Sequence, residues 1–387
     1  MKLPNGIFLR LSALVLGTTS ALAASAQVTS YTRDEVGAKI WSYQVDSLGR
    51  DVFDTISPNG AVVNANGTWS TSPLFLNGIS SDGRIYGSTF DSQAGYLDFS
   101  GTLQKFDLSP QSWGIGGSSV TKLMAGRFSL IEARDGTNAP VSPSTSSRLE
   151  IYDGQTIIGT YDTSSFYNFF RYGNLTDQGT LIFGHYTEVG EFVSSVRKAD
   201  GTNVLLTSQD GAGIIQQSLG GSHFYADLVN ANDLGVALTG WMNSQTGEKG
   251  YTTYDSTSGA ISHLDSSFGQ YDIRSMNSRG EFLATKLVKT ENQTNFYDVF
   301  FYGNSGEWTN VSETTGLGSL VRNATEGFTV GMTNDGTIYG TKLVPYPNQN
   351  YGVYETFRTN PVPEPGTMLL LAAGAGGLIA ARRKRKV

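Results

Sequence analysis

A short pattern recurs along the middle of this 387-residue chain: a polar turn that ends in glycine, then a short apolar run that often ends in a second glycine. Five copies are clear, with turn glycines at Gly83, Gly179, Gly235, Gly280 and Gly336. Asn or Asp beside Gly supplies the positive φ of hairpin turns, and the apolar run fits a buried strand. The repetition therefore predicts a set of equivalent β units.

The spacing of the copies sets the size of each unit. The turn glycines follow one another at intervals of 96, 56, 45 and 56 residues. The first interval is nearly twice the others, so a degenerate copy is expected near residue 131, and residues 123–131 are the candidate. A second β-rich stretch with its own polar turn follows each copy. Two hairpins in 45 to 56 residues match a four-stranded propeller blade.

Both ends of the repeat region are incomplete, which favours a closed ring. Residues 40–49 form an unpaired copy, and residues 351–357 form a shortened one. The N-terminal strands would then complete the last blade and cover its exposed edge. We predict an all-β fold, a β-propeller of six or seven blades over residues 27–344. A pair of β-sandwiches or a β-solenoid is the alternative, although solenoid periods are usually shorter and stricter.

The composition agrees with many short strands and few helices. The chain has 47 Gly, 11% aromatic and only 16% charged residues, which is typical of β-rich proteins with many turns. It has no Cys, so disulfides, Cys-ligated metals and thiol nucleophiles are excluded. Without its two end segments, the body has 20 basic and 33 acidic residues, a net charge of −13. Such a body repels phosphate, which argues against nucleic-acid binding.

The N-terminus, residues 1–26, reads as a secretory signal peptide. Lys2 and Arg10 form its positive region, and residues 11–23 form its apolar region. Ala24 and Ala26 are the small residues of a signal-peptidase site, so the mature chain would begin near Gln27. The Sec and signal-peptidase machinery would be the first partners. An uncleaved membrane anchor is the alternative.

The C-terminus combines three elements in a fixed order. Pro363, Glu364 and Pro365 come first, and the uncharged residues 366–381 follow. A helix of that length spans about 24 Å, short of the roughly 30 Å hydrocarbon core. The chain then closes on a basic cluster, namely Arg382, Arg383, Lys384, Arg385 and Lys386. This cluster would stay cytoplasmic and leave residues 27–361 outside the inner membrane.

This arrangement resembles the PEP-CTERM sorting signal of Gram-negative bacteria, here residues 362–387: the motif, a single short transmembrane helix and the basic tail. The resemblance implies recognition by an exosortase, a membrane-embedded cysteine transpeptidase, in bacteria that make exopolysaccharide or biofilm matrix. Residues 345–361, rich in Pro and Asn, would form a stalk linker. An ordinary single-pass anchor is the alternative. The resemblance covers only the terminal segment and does not indicate any activity of the body.

No catalytic pattern emerges from the body. His185, His223 and His263 are separated by roughly one blade, but they sit at different positions relative to their turn glycines. We therefore expect unrelated histidines and no metal site. The sequence has no Gly-x-Ser-x-Gly elbow, phosphate loop or dinucleotide fingerprint. It predicts no catalytic residue and no cofactor.

Two residue classes leave alternatives open. Carboxylates recur just before turn glycines, at Asp82, Asp177, Asp233 and Asp335. They could form a ring that binds cations or sugars, but local turn chemistry is favoured. Tryptophans could stack on sugars if exposed, but core packing is favoured; they are Trp41, Trp69, Trp113, Trp241 and Trp308.

These observations rank three functions. The first is a non-enzymatic, exosortase-processed protein that passes the inner membrane and is displayed at the cell surface or in the matrix, with exopolysaccharide as a partner. The second is a secreted propeller enzyme acting on polysaccharide. The third is a protein-binding propeller in envelope assembly.

Overall fold

The repeats fold into antiparallel sheets that form the blades of a β-propeller. The molecule is described by a computed structural model over residues 29–31, 40–45, 49–56, 59–63, 69–80, 82–89, 91–106, 118–134, 147–163, 170–186, 191–303, 305–323, 327–345 and 352–359. The signal-peptide residues, including Ala24 and Ala26, lie outside this part of the chain. So does the whole sorting segment with Pro363, Glu364, Pro365 and its basic cluster.

Seven sheets form among the described residues, which corresponds to the higher of the two predicted blade numbers. The chain enters through β1 (Thr29–Tyr31), which belongs to the last blade. Blade 1 comprises β2 (Ile40–Val45), β3 (Asp51–Ile56), β4 (Asn59–Val63) and β5 (Trp69–Thr71). Blade 2 comprises β6 (Leu74–Ile79), β7 (Ile85–Thr89), β8 (Ala94–Leu97) and β9 (Leu103–Lys105).

The middle blades repeat the same meander. Blade 3 comprises β10 (Ser118–Ala125), β11 (Phe128–Arg134), β12 (Ser147–Asp153) and β13 (Thr156–Thr163). Blade 4 comprises β14 (Phe170–Leu175), β15 (Leu181–Tyr186), β16 (Phe192–Arg197) and β17 (Asn203–Thr207). Blade 5 comprises β18 (Phe224–Ala231), β19 (Val236–Asn243), β20 (Lys249–Asp255) and β21 (Ile261–His263).

The last two blades vary the pattern. Blade 6 comprises β22 (Asp272–Met276), β23 (Phe282–Glu291), β24 (Thr294–Tyr302), β25 (Trp308–Asn310) and β26 (Leu320–Arg322), and the last two strands both pair with β24. Blade 7 comprises β27 (Thr329–Met332), β28 (Ile338–Pro345) and β29 (Gly352–Arg358), with β1 as its outer strand. The N-terminal strand therefore completes the C-terminal blade, as predicted.

Helical structure among the described residues is short, in agreement with the sequence. α1 (Ile214–Leu219) joins blades 4 and 5, and α2 (Val311–Thr314) lies between β25 and β26. A 3₁₀ turn (Ser266–Gln270) joins blades 5 and 6, and the side chain of Asp265 caps it by accepting from the Ser267 N–H.

The core is divided among the blade interfaces. One cluster joins blades 3 and 4, where Phe128 and Leu149 pack against Leu181 and Phe183. Similar clusters join each other pair of neighbours, and the ring closes where Tyr43 and Phe53 of blade 1 meet Tyr339 of blade 7. Each blade is thus buried by its two neighbours, which explains why a single repeat is not an independent unit.

The predicted turns form as the sequence indicates. In all five, the glycine N–H donates to the carbonyl of the residue three positions earlier, at 2.9 to 3.1 Å. The glycine φ angles lie between +76° and +89°. The degenerate copy at residues 123–131 is also confirmed as the β10–β11 hairpin, which turns at Gly126.

Two boundaries differ from the prediction. Residues 40–49 are not an unpaired piece that completes the last blade: they hold β2, which starts a complete blade of its own. The predicted stalk at 345–361 contains β29, which pairs with both β28 and β1 and buries Thr356 and Phe357. The propeller therefore extends past residue 344, because this segment supplies the third strand that blade 7 needs.

Candidate ligand site in the central channel

The first strands of all seven blades surround a central cavity of about 790 Å³. Its lining comes from the ends of these strands and from the turns that follow them. We call the end of the channel that carries these turns the turn face. The repeat thus places equivalent positions of every blade, at the end of the first strand and in the turn after it, around the central channel.

One position in each repeat holds its turn together. The residue three positions before the glycine uses its side-chain oxygen to accept the N–H of the residue just after the glycine, at 2.9 to 3.1 Å. The five acceptors are Ser80, Thr176, Asn232, Asn277 and Thr333. Hydroxyl and amide side chains recur there because each can replace a backbone acceptor in a tight turn.

Asparagines link several neighbouring blades around the channel. The Asn174 Nδ2 donates to the Ala231 carbonyl at 3.0 Å, and the Asn232 Nδ2 donates to the Asn277 carbonyl at 3.1 Å. The Asn77 Nδ2 donates to the Thr121 carbonyl at 3.1 Å. Sequence reasoning missed this role because the partners are 44 to 57 residues away. Aligning the repeats on their turn glycines would have revealed the polar positions.

Two of the four recurrent carboxylates serve their own turns. Asp82 forms an ion pair with Arg84 at 2.7 Å and accepts from the hydroxyl of Ser80. Burial opposes ionisation of Asp82, but these hydrogen bonds outweigh it and hold the pKa of the carboxyl below its usual range. Asp335 makes the equivalent contacts with the hydroxyl of Thr333 and the N–H of Thr337. The predicted turn chemistry is confirmed at these positions.

The other two carboxylates stand one residue further from the glycine and face elsewhere. Asp177 lies against the turn of blade 3, where a Cβ added to Gly126 would be 3.3 Å from its Oδ1. Asp233 lines the cavity. It accepts from the Asn174 Nδ2 at 3.2 Å and from the Asn334 Nδ2 at 2.8 Å. These amides belong to blades 4 and 7, so Asp233 is held between donors from two different blades.

Two tyrosines reach the channel through gaps left by glycine. Tyr86 of β7 pairs with Gly78 of β6, and Tyr339 of β28 pairs with Gly331 of β27. A Cβ on Gly78 would lie only 2.4 Å from the Tyr86 hydroxyl, and a Cβ on Gly331 would lie 2.8 Å from the Tyr339 hydroxyl. The missing side chains on the first strands thus let second-strand phenols line the cavity.

Both phenols are kept protonated at neutral pH. Burial raises the pKa of Tyr339 to about 12. Burial also raises the pKa of Tyr86, and the neighbouring Asp233 and Tyr339 add to the effect. Neither hydroxyl has a hydrogen-bond partner among the residues that the structure describes, and Tyr86 is only 6% exposed. The cavity therefore presents two O–H donors near one carboxylate.

No cation is found among the residues that line the cavity in the described part of the chain. The nearby arginines point to turn carbonyls instead. Arg50 donates to Gly83 at 2.5 Å and Arg358 donates to Gly49 at 3.0 Å, each linking neighbouring blades. The site is thus rich in amides and hydroxyls, with a negative net charge.

The histidines lie apart, as predicted. His185 stacks on Phe183 at 4.8 Å, and burial lowers the pKa of His185 to about 4. His263 contacts Thr252 at 3.0 Å, and His223 contacts Gln245 at 3.2 Å on the surface. Within the described ranges, no group of three or more His, Cys, Asp or Glu side chains could hold a metal ion.

Two tryptophans have described surroundings, and both pack. Trp241 lies edge-on to Phe224 at 5.5 Å and covers Gly250, where a Cβ would be 2.3 Å from its ring. Trp308 stacks on Tyr271 at 4.2 Å. The predicted packing role is confirmed for this pair.

Comparison with known proteins identifies a sorting motif at the end of the chain and supports the fold of the body. Residues 361–386 match the PEP-CTERM protein-sorting motif. The chain is therefore an exported protein that carries the exosortase-directed signal. No helix in the described part of the chain is long and apolar enough to span a membrane. A search of curated protein sequences gives no match.

Solved propellers resemble the body at low identity. An oligogalacturonate lyase in complex with manganese is 10% identical, with a TM-score of 0.51 over 88% of this chain and 99% of that one. An oligogalacturonate lyase from Vibrio parahaemolyticus is 10% identical, with a TM-score of 0.52 over 88% and 97%. The propeller domain of the trilobed protease from Pyrococcus furiosus is 11% identical, with a TM-score of 0.47 over 84% and 97%. At these identities the likeness shows the fold alone.

Proposed function

We propose that this chain is a non-enzymatic, polysaccharide-binding protein that an exosortase processes and that ends at the cell surface or in the extracellular matrix. The observation that carries the proposal is the sorting match at residues 361–386, which begins just after the last propeller strand ends at Arg358. The described part of the exported chain is thus a propeller with a polar cavity at its centre. Outside the cell, the propeller binds a glycan of the exopolysaccharide in this cavity.

The chemistry of the cavity supports glycan binding. Sugar hydroxyls are both donors and acceptors, and they are matched by side-chain amides, phenols and a carboxylate. Met276 and Met332 add apolar surface to the lining, which suits the C–H faces of a sugar ring. Asn174 and Asn334 hold the Asp233 carboxylate in place before any ligand arrives, which reduces the entropy cost of binding.

The same lining argues against catalysis. Glycosidase chemistry uses two carboxylates about 5 to 9.5 Å apart. Asp233 and Asp335 are the carboxylates of the lining, and Asp335 is engaged by Thr333 and Thr337 of its own turn. The lining also lacks a histidine or lysine base within the described ranges. A binding role therefore fits the site better than a hydrolase or lyase role.

The export half of the proposal is tested by the intact mass of the protein from its own host, combined with cell fractionation. We expect a chain that begins near Gln27, ends near the Pro363–Pro365 motif, and is recovered at the surface or in the matrix. A variant with Pro363→Ala and Pro365→Ala should keep its basic tail and remain in the inner membrane. A wild-type mass that retains residues 382–387 would overturn the processing claim.

The binding half is tested separately with polysaccharide from the same host. The processed protein should co-sediment with that polysaccharide, and incubation should leave the polymer length and reducing ends unchanged. New reducing ends or unsaturated ends would favour the enzyme alternative. Failure to co-sediment would overturn the glycan-binding role without affecting the sorting assignment.

A further inference from the structure

The groups in the cavity that remain available to a ligand differ from those that hold the blades together. Asn232 and Asn277 serve their turns and the next blade. The side-chain oxygen of each accepts two backbone N–H groups, and the Nδ2 of each donates to a carbonyl of the next blade. By contrast, no partner among the described residues engages the hydroxyls of Tyr86 and Tyr339. Asp233 accepts one bond on each oxygen, and a carboxylate offers about four acceptor sites. The groups available to a ligand thus include two phenol donors and one half-occupied carboxylate.

This set selects among glycans by charge. Two adjacent sugar hydroxyls can donate to the unused lone pairs of Asp233, while the phenols donate to ring or hydroxyl oxygens of the same unit. A uronate carboxylate would instead approach Asp233 with no lining cation to compensate it, and like charges repel strongly in a partly desolvated cavity. The net charge of −13 in the body adds repulsion at longer range.

We propose that Asp233, Tyr86 and Tyr339 form a binding site for an uncharged sugar unit with adjacent hydroxyls, and that this site rejects uronate polymers. The inference rests on the proposed glycan-binding function and names its ligand class. The proposed ligand is uncharged, whereas the two lyases of similar fold are named for oligogalacturonate, a polyanion.

Calorimetric titration of the processed protein tests the proposal. The probes are neutral hexasaccharides of glucan, mannan and galactan, and the hexamer of galacturonate. We expect at least one neutral probe to bind and the galacturonate hexamer not to bind. Asp233→Asn should weaken neutral binding about ten- to hundredfold, because hydrogen bonds to a charged acceptor are the strong ones. Tyr86→Phe and Tyr339→Phe should each weaken it less.

Asp98→Asn is the matched control, since Asp98 is a half-buried carboxylate that accepts the Ser100 N–H in the β8–β9 turn and does not line the cavity. It should leave binding unchanged. Asp233→Asn should also raise galacturonate binding, because it removes the like-charge repulsion. Galacturonate binding by the wild-type protein would overturn the ligand class while leaving glycan binding intact. Neutral binding that Asp233→Asn does not change would overturn the assignment of the site. No binding by any probe, with folding confirmed by circular dichroism, would overturn both the site and the glycan-binding role.

Discussion

The contact between Gly78 and Tyr86 gives a sharp test of how the cavity is built. In Gly78→Ala, the new Cβ would lie 2.4 Å from the Tyr86 hydroxyl and 2.7 Å from its Cζ. No real Cβ contact is that short, so the phenol has to move. Tyr86 is only 6% exposed and belongs to a buried cluster with Phe106, Met124 and Tyr152, which leaves little room for movement away from the new methyl group.

The magnitude follows from the cost of overpacking a buried site. Inserting one carbon into a close-packed region typically costs about 1 to 3 kcal/mol of unfolding free energy. The three atoms nearest to the added Cβ all belong to Tyr86, so most of the cost should be absent when the ring is removed. In a Tyr86→Ala background, Gly78→Ala should therefore be nearly neutral, and the coupling energy of the pair should be about 1 to 3 kcal/mol.

The assay is urea unfolding of the four proteins of this cycle, followed by tryptophan fluorescence, with unchanged m-values as the check on comparability. Gly327→Ala is the matched control, because a Cβ there meets only Arg322, at 3.7 Å or more. It should change stability by less than about 0.5 kcal/mol. If Gly78→Ala costs the same with and without the Tyr86 ring, then the ring does not occupy the gap and the geometry of the cavity is refuted.

Three further perturbations test the ring itself. Arg358→Ala removes a 3.0 Å partner of the buried Asp51 across the closure between blades 7 and 1, so thermal unfolding should show a loss of about 1 to 3 kcal/mol. Asn232→Ala leaves two turn N–H groups without their acceptor and removes the bond from the Asn232 Nδ2 to the Asn277 carbonyl of blade 6, so urea unfolding should show a similar loss. The pKa of Asp82 is lower in the folded protein than in the unfolded chain, where it is about 4, so the ionised carboxylate stabilises the fold. This stabilisation is present above the unfolded pKa and is lost as the pH falls through the folded pKa. Part of the acid-induced loss of stability should therefore be missing in Asp82→Asn, and an identical pH profile would contradict this.

The fold was predictable because its signal is local. A turn glycine, an acceptor side chain three residues earlier and an apolar run afterwards all lie within about ten residues, and each turn forms as this pattern indicates. The blade number was left open because the first blade turns at Gly49 after Asp46-Ser47-Leu48, without an Asp or Asn in the two positions directly before the glycine. Residues 40–49 therefore looked like a fragment although they begin a full blade.

The cavity was not predictable because its contacts join distant repeats. Asp233 recurs with the other turn carboxylates in the sequence, yet it stands one position further from its glycine than Asp82 does. That one position turns it from its own turn toward Asn174 and Asn334, which are 59 and 101 residues away. The Gly78–Tyr86 gap likewise depends on the register between two strands, which the repeat pattern does not encode.

The closure of the ring also fixes where the sorting signal emerges. Thr29 pairs with Arg358, so the first and last strands lie side by side in blade 7. The sorting match begins at residue 361. Even a fully extended chain from Arg358 to Pro363 covers only about 17 Å, at roughly 3.4 Å per residue. Much of the segment predicted as a stalk therefore belongs to β29. A membrane-embedded processing enzyme would have to act next to blade 7, where the first and last strands lie side by side.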